Sequence, residues 1–401
     1  MNLARLSWTY LWARPLATLL HLLLLSLGLA AISVVLLVSE QVEQGLRRDL
    51  AGIDLVVGAK GSPLQLILSG VFHLDVPTGN IPAEAVQRWR SHPLVETVIP
   101  VSLGDSYRGF RIVGTEPAYL EHYGATLAQG RLWAGTLEAL LGAEVAARTG
   151  LRLGDRFVGV HGLGREGEAH GDTPYTVVGV LERSGRVLDR LILTSTESVW
   201  EVHEAETALD EEDRRYLEAE REVTLLLLRY RSPLAAVSLP RLINAETALQ
   251  AASPALETAR LLRIVGVGAE VLRGFGLVLL AVAALSVFIG LYHAVRERAN
   301  DLAMLRMLGA PPHKVAAVVL AQALWLAAGG LLLGLALGHG LTALLGWALA
   351  QRQSVALSGW TWLGAEWAVV AGALGVAVLS AALPAWQAYR LDVMRLLQAP
   401  R

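Results

Sequence analysis

The sequence has no cysteine, which excludes disulfides, thiolate metal sites and cysteine nucleophiles and leaves the redox compartment open. Charge is sparse: 17% of the 401 residues are Asp, Glu, Lys or Arg, against about 25% in ordinary soluble domains. Lysine stands only at Lys60 and Lys314, and with a formal net charge of -2 the chain lacks the basic face that nucleic-acid binding requires. No Gly-x-Ser-x-Gly elbow is present, so a serine hydrolase has no starting point. His73, His92, His122, His161, His170 and His203 are scattered without i,i+4 partners, and His203-Glu204 lacks the second histidine of a zinc-protease helix. These histidines read as solvated loop residues, so neither a metal site nor a catalytic residue is expected. What the chain has in quantity is apolar text: 54% hydrophobic residues and a mean hydropathy of +0.46, the balance of a protein part in lipid and part in water.

Four stretches are apolar enough to span a bilayer, which takes roughly 20 residues. Leu16 to Val38 holds no charge and only His21 as an ionisable group; it is too long for the hydrophobic part of a cleaved signal peptide, so a retained helix is expected. Phe275 to Val295 and Trp367 to Ala388 are the second and fourth, with Pro384 expected to kink or end the latter. The third, Val315 to Ala350, is overlong, and a break or an emergence at the membrane surface is expected near Gly338-His339-Gly340, with the rest running along or above the interface. No charge sits at a span centre, and His21 and His339 lie near predicted ends, which disfavours a channel or an ion-coupled carrier.

Basic residues gather at one set of ends: Arg5 and Arg14, then Arg296, Arg298, Arg306 and Lys314, then Arg390, Arg395 and Arg401. The short connection between the third and fourth spans offers only Arg352, beside Glu366, with Trp360, Trp362 and Trp367 as an interfacial aromatic belt. Basic loops stay inside, so both termini are expected to be cytoplasmic. The expected organisation is residues 1–39 as N-terminus and first span, 40–270 as an outward α+β domain, possibly of two lobes, and 271–401 as the remaining three spans.

Within the outward domain, Pro93 to Val101, Phe110 to Gly114, Tyr175 to Leu181, Arg190 to Thr194 and Val223 to Tyr230 read as strands. Pro82 to Arg90, Glu138 to Thr149 and Leu234 to Ala252 read as helices, and the charge-dense Glu201 to Glu222 as a solvated helix or excursion rather than a site. Gly58-Ala59-Lys60-Gly61-Ser62-Pro63 and the apolar Leu64 to Val71 read as a loop feeding an ordinary core element, with a lipid-level or partner-binding element as the other reading.

After the second span comes Arg296-Glu297-Arg298-Ala299-Asn300-Asp301-Leu302-Ala303-Met304-Leu305-Arg306-Met307-Leu308-Gly309-Ala310. Ala299, Leu302, Leu305 and Leu308 recur every third residue and suggest one helical face; Gly309 suits a C-cap, and Pro311-Pro312 stops continuation. Physics alone gives a short interfacial helix, either a topology anchor or a contact surface. The Leu305-Arg306-Met307-Leu308-Gly309-Ala310 core resembles the signature of MacB/FtsX-type ABC permeases, with Asp301 where that family often has Glu. Weaker resemblances follow in family order: Arg14 to Leu20, Ile112 to Pro117, Gly130-Arg131-Leu132-Trp133, Leu141 to Ala146, Leu151 to Asp155, Val177 to Leu181, and Leu383 to Ala388 followed by Leu391-Asp392.

The resemblance implies a four-span α-helical membrane domain with an α+β extracytoplasmic domain inserted between spans 1 and 2, in a bacterial inner (plasma) membrane. It also implies that the segment near 296–310 docks on an ABC ATPase, with Arg296, Glu297, Asp301, Leu305, Arg306 and Gly309 as the coupling residues. The text nearest a P-loop, Gly52 to Gly61, has Ala59 before Lys60 and Gly61 after it, so the phosphate-wrapping motif is missing. ATP and magnesium therefore belong to a separate ATPase subunit. Other implied partners are a second permease copy or a similar subunit, membrane lipid, and a periplasmic adaptor or lipoprotein. The function implied is ATP-driven export or extraction of a lipophilic, peptide or lipoprotein substrate; an FtsX-like signalling subunit and a membrane-anchored sensor without an ATPase are the alternatives.

Overall fold

A computed structural model describes residues 2–162, 173–207, 210–351 and 357–391. His170, Arg352, Asp392, Arg395 and Arg401, singled out above, lie outside the described residues. The chain divides into two compact units, Met1–Glu43 with Ile264–Arg401, and Gln44–Arg263.

In chain order, α1 (Leu3–Trp12) and α2 (Pro15–Leu50) precede β1 (Leu55–Ala59), α3 (Pro63–Gly70), β2 (Ile81–Pro82) and α4 (Glu84–Arg90). Then come β3 (Val95–Tyr107), β4 (Phe110–Thr115), α5 (Pro117–Tyr123), β5 (Leu127–Gly130), β6 (Glu138–Leu141), α6 (Ala143–Thr149), β7 (Arg156–Phe157) and β8 (Val160–His161). The middle of the chain closes with β9 (Tyr175–Leu181), β10 (Leu191–Ser195), α7 (Thr196–Thr207), α8 (Glu211–Ala219), β11 (Glu222–Val223), β12 (Leu225–Tyr230), α9 (Pro233–Glu246) and β13 (Leu249–Ala252). Helices α10 (Pro254–Glu297), α11 (Ala299–Met307), α12 (Pro312–Gln351) and α13 (Glu366–Tyr389) follow.

Four helices, α2, α10, α12 and α13, are long and apolar enough to cross a membrane. The expected break in the third span does not occur: α12 is continuous through Gly338-His339-Gly340. The reason lies in packing. Gly330, Gly334 and Gly338 recur at i, i+4 and i+8, and a Cβ on each would press into Leu25, Leu29 and Ser33 of α2, at 2.8, 2.7 and 2.8 Å. The glycines bring two helix backbones together rather than interrupting one, as small residues do where lipid supplies no hydrophobic drive between helices. Gly28 of α2 meets the α10 backbone in the same way: a Cβ there would lie 3.2 Å from the amide nitrogen of Leu280. Nor does Pro384 end the last span, since α13 carries it inside and runs on to Tyr389.

Among the described residues of Gln44–Arg263, eleven strands form one sheet in the order β13-β1-β12-β3-β4-β10-β6-β9-β5, with β7 on β9 and β8 on β3. The pairs β4/β10 and β6/β9 are parallel, and the other ladders of this sheet antiparallel. Strand β12 shows why a run of four leucines is a strand here. Leu225 and Leu227 face one core with Leu66, Ile67 and Tyr119, while Leu226 and Leu228 face another with Trp89, Leu239 and Ile243. A strand covered on both faces needs no polar alternation. The apolar stretch Leu64 to Val71 is part of the first core, with Leu66, Ile67 and Val71 fully buried, which is the plainer of its two readings.

Two predicted helices are each a strand and a helix. Glu138 to Thr149 divides into β6 and α6 at Gly142, where a Cβ would lie 2.2 Å from the carbonyl oxygen of Leu188. Leu234 to Ala252 gives α9 and then β13, whose Ala251 and Ala252 are buried against the sheet edge. The charged excursion is helical as expected, and α8 has no buried residue.

Candidate functional site

The segment after α10 is built as a hairpin-like foot. Helix α10 ends at Glu297, and Arg298 leaves helical geometry at φ -99°, ψ 17° before α11 begins. Leu302 and Ala303 are buried, and Leu305 packs beside them against Val295, Val315 and Leu391 of the helical core. At the other end Gly309 takes φ +93°, donating to the carbonyl of Arg306 (3.1 Å), while the Ala310 amide donates to that of Leu305 (3.1 Å). This is the paired closure of a Schellman C-cap, and only glycine enters it without strain. Pro312 then opens α12.

The six residues nominated by sequence separate into two groups. Glu297 accepts an ion pair from Arg14, Arg306 donates through Nη1 to the carbonyl of Leu391, and Leu305 is half-buried, so these three fasten the foot to neighbouring helices. Arg298 adds to the fastening, its guanidinium 4.5 Å over the Tyr10 ring. Arg296, Asp301 and Gly309 are exposed. One expectation is corrected: Leu308 does not share the face of Leu302 and Leu305 but is 85% exposed. A helix turns about 100° per residue, so a three-residue step falls short of a full turn and three such steps reach the opposite side. With Met304 and Met307, both about half exposed, Leu308 forms an apolar ledge beside the carboxylate of Asp301.

A second cluster in the helical unit escaped sequence reading. Glu366, at the first turn of α13, is fully buried. Its Oε1 meets Nε2 of His339 at 2.9 Å and accepts from Ser33 Oγ at 3.1 Å, while its Oε2 accepts from the Leu363 amide at 2.9 Å. His339 Nδ1 donates to the carbonyl of Gly359 (2.7 Å), and the Trp362 ring stacks on the imidazole, 5.9 Å between centroids. The carboxylate is thus fully engaged, the condition for burying one at all. The available signal was a lone acidic residue at the edge of an uncharged span. Trp360 and Trp367 are exposed, 95% and 64%.

In the other unit, a cavity of about 380 Å³ lies between β3, α7 and α8, lined among others by Asn80, His161, Trp200, His203, Arg221 and Thr224. Two of its lining residues, His161 of β8 and His203 of α7, meet Asp105 of β3, each of the three offering one ligand atom within 4.8 Å of the other two. Nothing in their sequence spacing announces this; strand pairing and the α7 fold-back bring them together.

The profile of the MacB-like periplasmic core domain matches residues 18–251, more than half of the chain, and that of the FtsX-like permease C-terminal domain matches residues 273–393. Among solved structures, the chain is similar to the periplasmic region of MacB from Actinobacillus actinomycetemcomitans: 12% identity, 54% of this chain and 95% of that chain covered, TM-score 0.35. It is also similar to the extracellular domain of the noncanonic ABC-type transporter YknZ from Gram-positive bacteria: 13% identity, 49% and 98% covered, TM-score 0.31. No curated protein matches the chain.

Proposed function

Since the chain belongs to the MacB/FtsX-type permeases, we propose that it is the membrane subunit of an ABC system whose ATPase is a separate protein docking on the α11 foot. The observation that carries this reading is the foot itself: an exposed ledge of Met304, Met307 and Leu308 beside Asp301, tied to its neighbours by Glu297, Leu305 and Arg306. Exposed flexible apolar side chains rimmed by charge suit a partner surface, whereas a topology anchor needs only the arginines. The basic residues around the foot and the N-terminus support a cytoplasmic position for this end of the helices, with Gln44–Arg263 outside.

In this reading ATP and magnesium are bound by the partner, and the chain performs no catalysis. Two permease subunits, identical or similar, pair over two ATPases. Helices α2 and α10 both run on past the boundary between the units, which supports passing ATP-driven movement outward along them. The glycine-filled helix contacts support a force-transmitting bundle over a polar conduit, so a lipophilic, peptide or lipoprotein substrate is handled outside the membrane. An FtsX-like role, activating a periplasmic partner without transport, uses the same movement.

The test is to co-purify the full chain with its ATPase and measure ATP hydrolysis in lipid nanodiscs. Permease-dependent turnover that Leu308→Asp abolishes, while the variant still inserts and purifies normally, is the expected result. Unchanged stimulation by Leu308→Asp would remove the foot from the docking surface.

A further inference from the structure

We propose that Asp105, His161 and His203 form a binding site for a divalent transition-metal ion of the zinc class, with its open coordination position turned to the neighbouring cavity. The three side chains come from three separate elements, so their meeting is a property of the tertiary fold. Asp105 and His161 are direct cross-strand partners on β3 and β8, and Asp105 Oδ1 lies 3.2 Å from His161 Nδ1. The β3/β4 register shifts between Leu103 and Ser106, an irregularity that re-aims the Asp105 side chain. His203 reaches the same point from α7, its ring perpendicular to that of His161 with centroids 5.4 Å apart.

The surroundings are shaped for this cluster. The Asp105 side chain is only 3% exposed, and away from water the attraction between a carboxylate and a bound cation is strengthened. Glycine stands where a side chain would crowd one of the ligands: a Cβ on Gly104 would lie 3.3 Å from His203 Nε2. Two imidazoles and one carboxylate are a ligand set for zinc, iron, nickel or copper rather than for calcium or magnesium, which prefer oxygen donors throughout. The ligand atoms stand within 4.8 Å of one another, wider than the ~3.4 Å edge of a tetrahedron with bonds of about 2.1 Å. His161, 59% exposed, has the freedom to close that gap by turning its ring.

Three protein ligands leave at least one position for water or an incoming oxygen donor. Both histidines line the cavity of about 380 Å³, so that position faces it. Across the cavity, Arg221 is held in place by Glu204 (2.7 Å) and lies 4.9 Å over the Trp200 ring, a fixed positive group suited to the carboxylate or phosphate of a bound molecule. The site also clasps α7 to the sheet, so metal binding stiffens the charged α7–α8 excursion.

The experiment uses the full chain without any histidine tag, stripped with a chelator and reconstituted in nanodiscs. Zinc is titrated alone by calorimetry, bound metal is counted after dialysis, and cobalt is added for its visible ligand-field spectrum. One zinc per chain is expected, with affinity reduced more than tenfold in His203→Gln and in His161→Gln. The exposed His161 makes its variant a safe one for folding. A cobalt spectrum of low coordination number that both variants lose would confirm imidazole ligation. Absence of stoichiometric zinc binding by the wild-type chain, or binding by both variants undiminished from wild type, would overturn the proposal and leave Asp105–His161 as a cross-strand hydrogen bond.

Discussion

The two units of this chain solve the same problem of holding helices and strands together with opposite chemistry. In Gln44–Arg263, large apolar side chains are withdrawn from water: Leu55, Leu66, Trp89, Tyr119, Leu140 and Tyr175 are among those fully buried. In the helical unit, many large apolar side chains point outward, including Leu16 (73% exposed), Leu332 (73%), Trp347 (64%) and Leu379 (75%), and beside a core that includes Leu25, Val287 and Leu326 the closest backbone approaches are made at glycines. Where water surrounds the chain, burying leucine is the driving force. Where lipid surrounds it, leucine gains nothing by going inside, and close backbone approach does the work instead.

The largest test of this contrast is a pair of leucine truncations. Leu227→Ala, in the doubly covered strand β12, should lower the stability of its unit by about 2–5 kcal/mol through the cavity it leaves. Leu332→Ala, on the exposed face of α12, should change the stability of the full chain in nanodiscs by less than ~0.5 kcal/mol. Thermal unfolding of both variants decides the point; a large loss from Leu332→Ala would mean that this face is packed against protein.

Next in size is a glycine comparison inside the helical unit. A Cβ at Gly334 would meet the Leu29 Cβ at 2.7 Å and the Ser26 backbone oxygen at 3.1 Å, atoms that cannot move aside cheaply. Gly334→Val should therefore cost about 1–3 kcal/mol as an overpacked contact. At Gly372 of α13 nothing lies within 4 Å, so Gly372→Ala should be neutral or stabilising by up to about 1 kcal/mol. Equal effects at the two sites would break the claim that glycine is the packing residue here.

The smallest effect concerns pH and belongs to the outward unit alone. His73 is buried, with Nε2 3.1 Å from the Tyr119 hydroxyl, and burial chiefly, then the charges of Arg111 and Arg190, hold its pKa well below 6.5. The unfolded chain takes up a proton below about 6.5 and the folded chain does not, so stability falls as pH drops through that value. The slope contributed is at most ~1.4 kcal/mol per pH unit. His73→Asn, which tolerates the residue's positive φ of 55°, should flatten the stability profile between pH 6.5 and 5 relative to wild type. An unchanged slope would assign the acid sensitivity to other groups.

Much of this was legible in the sequence. The four spans follow from length and lack of charge, and strands such as Tyr175–Leu181 follow from β-branched residues between turn formers. Local text failed where a tertiary contact decided the outcome. Gly338 read as a breaker because its partner, Ser33, lies on a helix about 300 residues earlier. Glu138 to Leu141 read as helix because helix and strand share short apolar runs, and only the neighbours β9 and β10 choose between them. Leu308 was placed on the wrong face by a three-residue step that does not close a turn. In the foot, charge alone does not separate Glu297 and Arg306, which are engaged by Arg14 and the Leu391 carbonyl, from Asp301. The Asp105–His161–His203 cluster left no trace in spacing because each residue comes from a different element.

The central claim, that a separate ATPase seats on the α11 ledge, is tested most directly by placing a photo-crosslinking amino acid at Leu308 and, as control, at Trp360, in membranes that also contain the ATPase. The account predicts an ATP-sensitive adduct with the ATPase from position 308 and none from position 360. No adduct from position 308, with the ATPase present and active, would contradict it.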